Sequence, residues 1–85
     1  GEGETSIAYH LFPDWCEPKL ATCVVPDLPD EVEIKWDFSE LTDTAQTGDA
    51  TKATAEKGKM MNDAIVEHVV KVLNELDEKD WKYRR

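Results

Sequence analysis

One stretch limits what this chain can fold into more than any other: the long amphipathic run from near Asp49 to about Glu78. Met61, Ala64, Ile65, Val69, Val72, Leu73 and Leu76 recur at the three-and-four spacing of one helical face, with His68 among them and Val66 and Val70 widening the stripe. The spacing predicts one helix over 50–78, begun by a capping side chain between Asp49 and Thr51. A helix this apolar on one side has to pack on a sheet or another helix. Gly58 lies inside it, where glycine costs about 1 kcal/mol relative to alanine. A second backbone passing close by is the natural reason for that glycine.

The rest of the chain offers less with which to cover that stripe. Residues 31–38, EVEIKWDF, alternate strictly, with Val32, Ile34, Trp36 and Phe38 on one face and Glu31, Glu33, Lys35 and Asp37 on the other. This predicts a half-buried strand over 31–38 at a sheet edge or in an antiparallel pairing. Near the start, Thr5 to Phe12 spaces Ile7 with Leu11 and Ala8 with Phe12, as one helical face would. Thr5 or Ser6 is its expected cap, and Pro13 should stop it. Between Pro13 and Asp30 four prolines predict an ordered connection, within which Ala21–Val25 is apolar enough to pair briefly. Gly48-Asp49 is the turn signal before the long helix.

Charge narrows the classes of partner. Nineteen acidic against ten basic side chains leave a net charge of -9, which repels nucleic acid and anionic membrane alike. No apolar run approaches the roughly 20 residues that span a bilayer, and no leader is visible. Cys16 and Cys23 have no metal-knuckle spacing and are read as free, partly buried thiols of a cytoplasmic protein.

Chemistry concentrates in the opening residues, Gly1-Glu2-Gly3-Glu4-Thr5-Ser6. These are expected to form an active-site loop over 1–6 that leads into the first helix. Around flexible glycines the carboxylates of Glu2 and Glu4 could converge on one divalent ion or a pair, and hard oxygen donors suit zinc, manganese or magnesium. A solvated acidic terminus is the plainer alternative. His10 and His68 are more simply surface and rim residues, and neither cysteine has the companions of a nucleophile. Ser6, and Trp36 near the end of the alternating stretch, are the candidate substrate-pocket residues.

The GEGETS opening precedes an apolar helix ending in Phe12-Pro13-Asp14. With the later run from Gly48 through Thr54-Ala55-Glu56-Lys57-Gly58 into a long helix, it resembles the C-terminal part of the creatininase (creatinine amidohydrolase) family. The resemblance implies an α/β fold, the chain being the C-terminal segment of a three-layer α/β/α domain completed by a separate N-terminal chain. It implies two divalent metal ions, zinc or manganese, and a metal-activated water that attacks a cyclic amide or related carbonyl. Ring opening of a keto-inositol is an alternative within the family. On this resemblance Glu4 is a metal ligand, and Glu2 stands where creatininase has a ligand histidine, which points to a substrate other than creatinine. The family's Glu-x-His pair and aspartate have no counterpart here.

The expected partners are therefore an N-terminal fragment of the same protein, further copies in a homo-oligomer such as a hexamer of complete subunits, and a small-molecule substrate. The competing reading from a different class is a non-catalytic acidic module whose long helix docks on a partner. Mass spectrometry of the purified preparation separates the two. A larger polypeptide co-purifying in equal amount is the expected result, and a lone 85-residue species without metal would favour the module.

Overall fold

Helical hydrogen bonding starts at once in this chain. The computed structural model describes residues 1–33 and 35–82, and α1 runs over Glu2–Leu11 with Gly1 as its N-cap. The expected loop over 1–6 is thus helix, and neither Thr5 nor Ser6 is the cap. Thr5 N donates to Gly1 O at 3.1 Å, closing the first turn. Glu2 and Glu4 stand in that turn, where carboxylates complement the positive end of the helix dipole. Ser6 Oγ donates to Glu2 O at 2.6 Å, a bond back along the helix. α1 stops at Leu11, with Phe12 at φ -135, because Pro13 disfavours a helical residue before it.

Two short 3-10 turns follow, Pro13–Trp15 and Pro18–Leu20, each with proline at its start. The apolar piece then pairs as expected: β1, Cys23–Val24, lies antiparallel to β2, Gly48–Asp49. Gln46 fastens the same junction, its Oε1 accepting from Thr22 N at 3.2 Å and Thr22 Oγ1 at 3.1 Å while its Nε2 donates to Leu20 O at 3.1 Å. Gly48 has φ +76, and a Cβ there would meet Gly1 Cα at 3.1 Å. The ribbon is thereby laid against the start of α1.

The alternating segment forms no strand among the described residues, and Ile34 lies outside them. Val32 N donates to Pro29 O at 2.9 Å, so the segment opens on a turn. It closes on a helix: α2, Phe38–Leu41, is preceded by Asp37, whose N–H donates to Glu40 Oε2 at 3.1 Å. Alternation creates a strand only when a neighbouring ladder accepts its backbone bonds. No described residue supplies that ladder, and Val32, Trp36 and Phe38 are all about half exposed.

The long helix is divided near its start. A 3-10 turn, Ala50–Lys52, is capped by Asp49, and α3 runs over Ala55–Glu78 with Thr54 as N-cap. The expected single helix from residue 50 is interrupted because Thr54 is extended, at φ -138 and ψ 151. Its backbone N–H donates across the molecule to Ser6 Oγ at 3.1 Å, and its Oγ1 accepts from Lys57 N at 3.1 Å. One turn later comes the glycine. A Cβ built on Gly58 would lie 1.8 Å from Ser6 O and 2.8 Å from Ile7 N. The close backbone approach expected of Gly58 is present, and α1 is the other backbone.

The buried residues among those described are all small: Ser6, Thr42, Ala50 and Gly58. The chain is held by a tight helix crossing and a two-residue ribbon, not by a large apolar core. Ile65, Val69, Val72 and Leu73 of the α3 stripe remain 40% exposed or more. The surface totals 7352 Å², against roughly 5,100 Å² for a compact monomer of this mass.

Gly58→Ala should separate α1 from α3 and lower stability by about 3 kcal/mol, the upper part of the usual range for overpacking. Ser6→Ala, which leaves Thr54 N–H without its partner, should cost about 2 kcal/mol. Urea unfolding followed by circular dichroism measures both, and a Gly58→Ala midpoint equal to wild type would contradict the crossing.

Candidate functional site

Because the opening is helical, its two carboxylates diverge. Residues two apart on an α-helix are separated by about 200°, so Glu2 and Glu4 face opposite ways. Their surroundings differ accordingly. Glu2 Oε1 accepts from Lys57 Nζ at 2.9 Å, and the same ammonium donates to Lys52 O at 2.7 Å. Glu2 borders a groove of about 380 Å³ with Gly3, Ser6, Lys57, Met60 and Met61.

Glu4 borders the other side of α1. It lines an open cleft of about 300 Å³ with Thr5, Tyr9, Cys16, Glu17 and Gln46. Its carboxylate is exposed, and none of the hydrogen bonds or ion pairs among the described residues engages it. The cleft's far wall is built from the residues that Gln46 fastens: Leu20 and Ala21 beside Thr22, with Ala50 buried beneath. Cys16 Sγ donates to Phe12 O at 3.2 Å and is half-buried, whereas Cys23 is exposed, so only one of the two free thiols is sheltered.

The other candidates lie apart. Ser6 is fully buried, with its hydroxyl committed both to Glu2 O and to Thr54 N–H, and it borders the Glu2 groove. Trp36 lines a separate depression with Glu40 and is 55% exposed. His68 is exposed on α3. His10 is half-buried and faces Asp63, whose carboxyl is held below its ordinary range chiefly by the Lys59 ammonium, with His10 assisting. Lys59 Nζ stands 2.6 Å from Asp63 Oδ2.

Among the described residues no group of three or more His, Cys, Asp and Glu side chains is gathered as a metal site. The donor chemistry on the cleft is nevertheless suitable: Glu4 and Glu17 present oxygen atoms of the kind hard divalent ions take. Sequence reasoning missed Lys57, Glu17 and Gln46. Lys57 had a signal in its place beside Gly58, since it lies in the first turn of the helix that makes the close approach. Gln46 had none, because its three partners depend on a fold made by residues more than twenty positions away.

One carboxylate of the cleft region carries a distinct electrostatic signature. Asp49 is held below its ordinary value first by the Thr51 hydroxyl, against a smaller opposing effect of desolvation, and then by Thr51 N–H, Lys52 and Cys23. Thr51 N donates to Asp49 Oδ1 at 3.1 Å, and Thr51 Oγ1 donates to the same oxygen.

Compared with known proteins, residues 1–73 match the family model for creatininase, described as creatinine amidohydrolase. No curated protein and no solved structure matches the chain. Among the described residues no helix is long and apolar enough to cross a membrane.

The lowered Asp49 sets a pH dependence. A carboxylate whose folded pKa lies below its unfolded value of 3.8 stabilises fully above that value, and the contribution is lost as pH falls through the folded pKa. Asp49→Asn should therefore leave a shallower loss of thermal midpoint between about pH 5 and pH 2 than wild type shows. An unchanged acid slope would remove Asp49 from this role.

Proposed function

Since the chain belongs to the creatininase family, we propose that it serves a metal-dependent amidohydrolase and contributes Glu4 as a ligand for one of two divalent ions, zinc or manganese. The observation that carries this reading is the isolation of Glu4. It is an unpaired, accessible carboxylate on an open cleft, presented by a helix that is locked at Ser6 and Gly58. A carboxylate kept free of internal partners while Glu2 and Ser6 of the same helix are engaged is available for an external cation.

The chemistry such ions supply is Lewis-acid polarisation of a carbonyl and acidification of a water. The chain's own residues do the holding. Glu4, with Glu17 across the same cleft, would hold the cation, and Gln46 fixes the wall against which a substrate lies. The remaining ligands would come from polypeptide outside these 85 residues, as the family resemblance implies. That complementary part, the N-terminal portion of a three-layer α/β/α domain, would also cover the exposed α3 stripe and give the alternating segment a ladder. The substrate class is a cyclic amide or related carbonyl compound whose C–N bond is hydrolysed, in a homo-oligomer of completed subunits.

Glu4→Gln in the active assembly should lower bound metal and turnover together, by more than the roughly 10–100-fold that a supporting residue typically costs. Elemental analysis after gel filtration reads the metal. Turnover is read on a panel of cyclic amides, formamides and keto-inositols. Full metal content with lost turnover would make Glu4 a proton-transfer group instead, and wild-type values for both would remove it from the site.

A further inference from the structure

Glu2 and Glu4 look equivalent in the sequence but differ in the fold, and the difference turns on Lys57. Its ammonium stands 2.9 Å from Glu2 Oε1 and 2.7 Å from Lys52 O. Three pieces of chain meet there: the first turn of α1, the last carbonyl of the Ala50–Lys52 turn, and the first turn of α3. Beside this meeting point, Glu2 O accepts from Ser6 Oγ, which in turn accepts from Thr54 N–H. Glu2 is therefore tied to the start of α3 twice, through its carboxylate and through its main-chain carbonyl.

We propose that Lys57 is a positioning residue and that Glu2 is its anchor, so that Glu2 orients Glu4 and does not itself ligate a metal. Two arguments carry this. Glu2 faces the Met60–Met61 groove while Glu4 faces the cleft with Glu17, so a cation held by Glu4 lies on the other side of α1. A cation on Glu2 would, moreover, sit beside the Lys57 ammonium and be repelled by it. The Glu2–Lys57 pair instead fixes the rotation of the first turn about the helix axis, and that rotation decides where the Glu4 carboxylate points.

The consequence for metal affinity rests on the ligand role proposed for Glu4; the consequence for the first turn does not. Both are read on the intact, metal-loaded protein carrying Lys57→Met, Lys57→Arg, Glu2→Gln or the Glu2→Gln/Lys57→Met pair. Half-exposed ion pairs support effects of up to about fivefold. Amide exchange at Thr5, whose N–H closes the first turn, and the Mn²⁺ dissociation constant should each rise about three- to fivefold in either single variant. The double variant should be no worse than either single one, and Lys57→Arg should stay within about twofold of wild type. Loss of Mn²⁺ affinity in Glu2→Gln far beyond that of Lys57→Met would make Glu2 a direct ligand and overturn the proposal. Unchanged exchange in both single variants would overturn it as well. Should Glu4→Gln retain full Mn²⁺ affinity, the ligand role of Glu4 fails by itself, and the exchange measurement still decides whether the clamp exists.

Discussion

The backbone of Gly58 lies so close to that of Ser6 that even a methyl group has no room, and the rest of this structure depends on that contact. A Cβ would sit 1.8 Å from Ser6 O, far inside van der Waals contact. Two helices can approach to this degree only where one of them has no side chain and the other has a small one. Serine does more than stay small. Its hydroxyl is fully buried, where an unpaired polar group would cost about 1–3 kcal/mol, and both its donor and acceptor capacities are used. The acceptor bond reaches Thr54, the cap of α3, so the crossing also determines where α3 begins. The two segments that carry the family resemblance, fifty residues apart in sequence, are each other's contact surfaces.

From that crossing follows the fate of the acidic opening. A loop rich in glycine would let two carboxylates converge on one cation. The helix forbids it, because its geometry turns Glu2 and Glu4 to opposite sides whatever their chemistry. Once separated, each meets a different environment. Glu2 comes to the α3 side and finds Lys57; Glu4 comes to the cleft and finds no internal partner. The asymmetry of their surroundings thus arises from helical periodicity plus one lysine, with no difference between the side chains themselves.

What was legible in the sequence is what depends on short range or on a hard steric rule. Pro13 stops α1 at Leu11, the apolar Cys23–Val24 piece finds a partner strand, α3 ends at Glu78, and Gly58 marks a close backbone approach. Family membership was legible in the GEGETS opening and in the run through Thr54-Ala55-Glu56-Lys57-Gly58 into the long helix. The opening helix was hidden because glycines at positions 1 and 3 read as loop, whereas tertiary contact with α3 and two carboxylates at the helix's positive end overrule that propensity. The break before α3 was hidden too, since it depends on a bond from Thr54 to a serine 48 residues away. Of the candidate site, Glu4 was singled out but expected in a loop, whereas it stands on α1 beside Glu17 and Gln46, from segments whose positions only the fold brings together.

The alternating segment and the α3 stripe share one physical reason for being left uncovered. Each is a one-sided surface: Val32, Trp36 and Phe38 alternate in one, and Ile65, Val69, Val72 and Leu73 line a face of the other. At about 25 cal/mol per Å² of apolar area, removing such faces from water stabilises whatever covers them. α1 is ten residues long and meets α3 near its start, at Gly58 and Met61, so it cannot also shield a helix that extends to Glu78. A strand pattern needs a ladder, and the β1–β2 ribbon, at two residues per strand, is too short to supply one for it. The radius of gyration of 17.8 Å, against about 12 Å for a compact domain of this length, has the same origin. The tight crossing gives Glu4 a rigid base, and the open faces around it are where polypeptide carrying complementary ligands would have to pack.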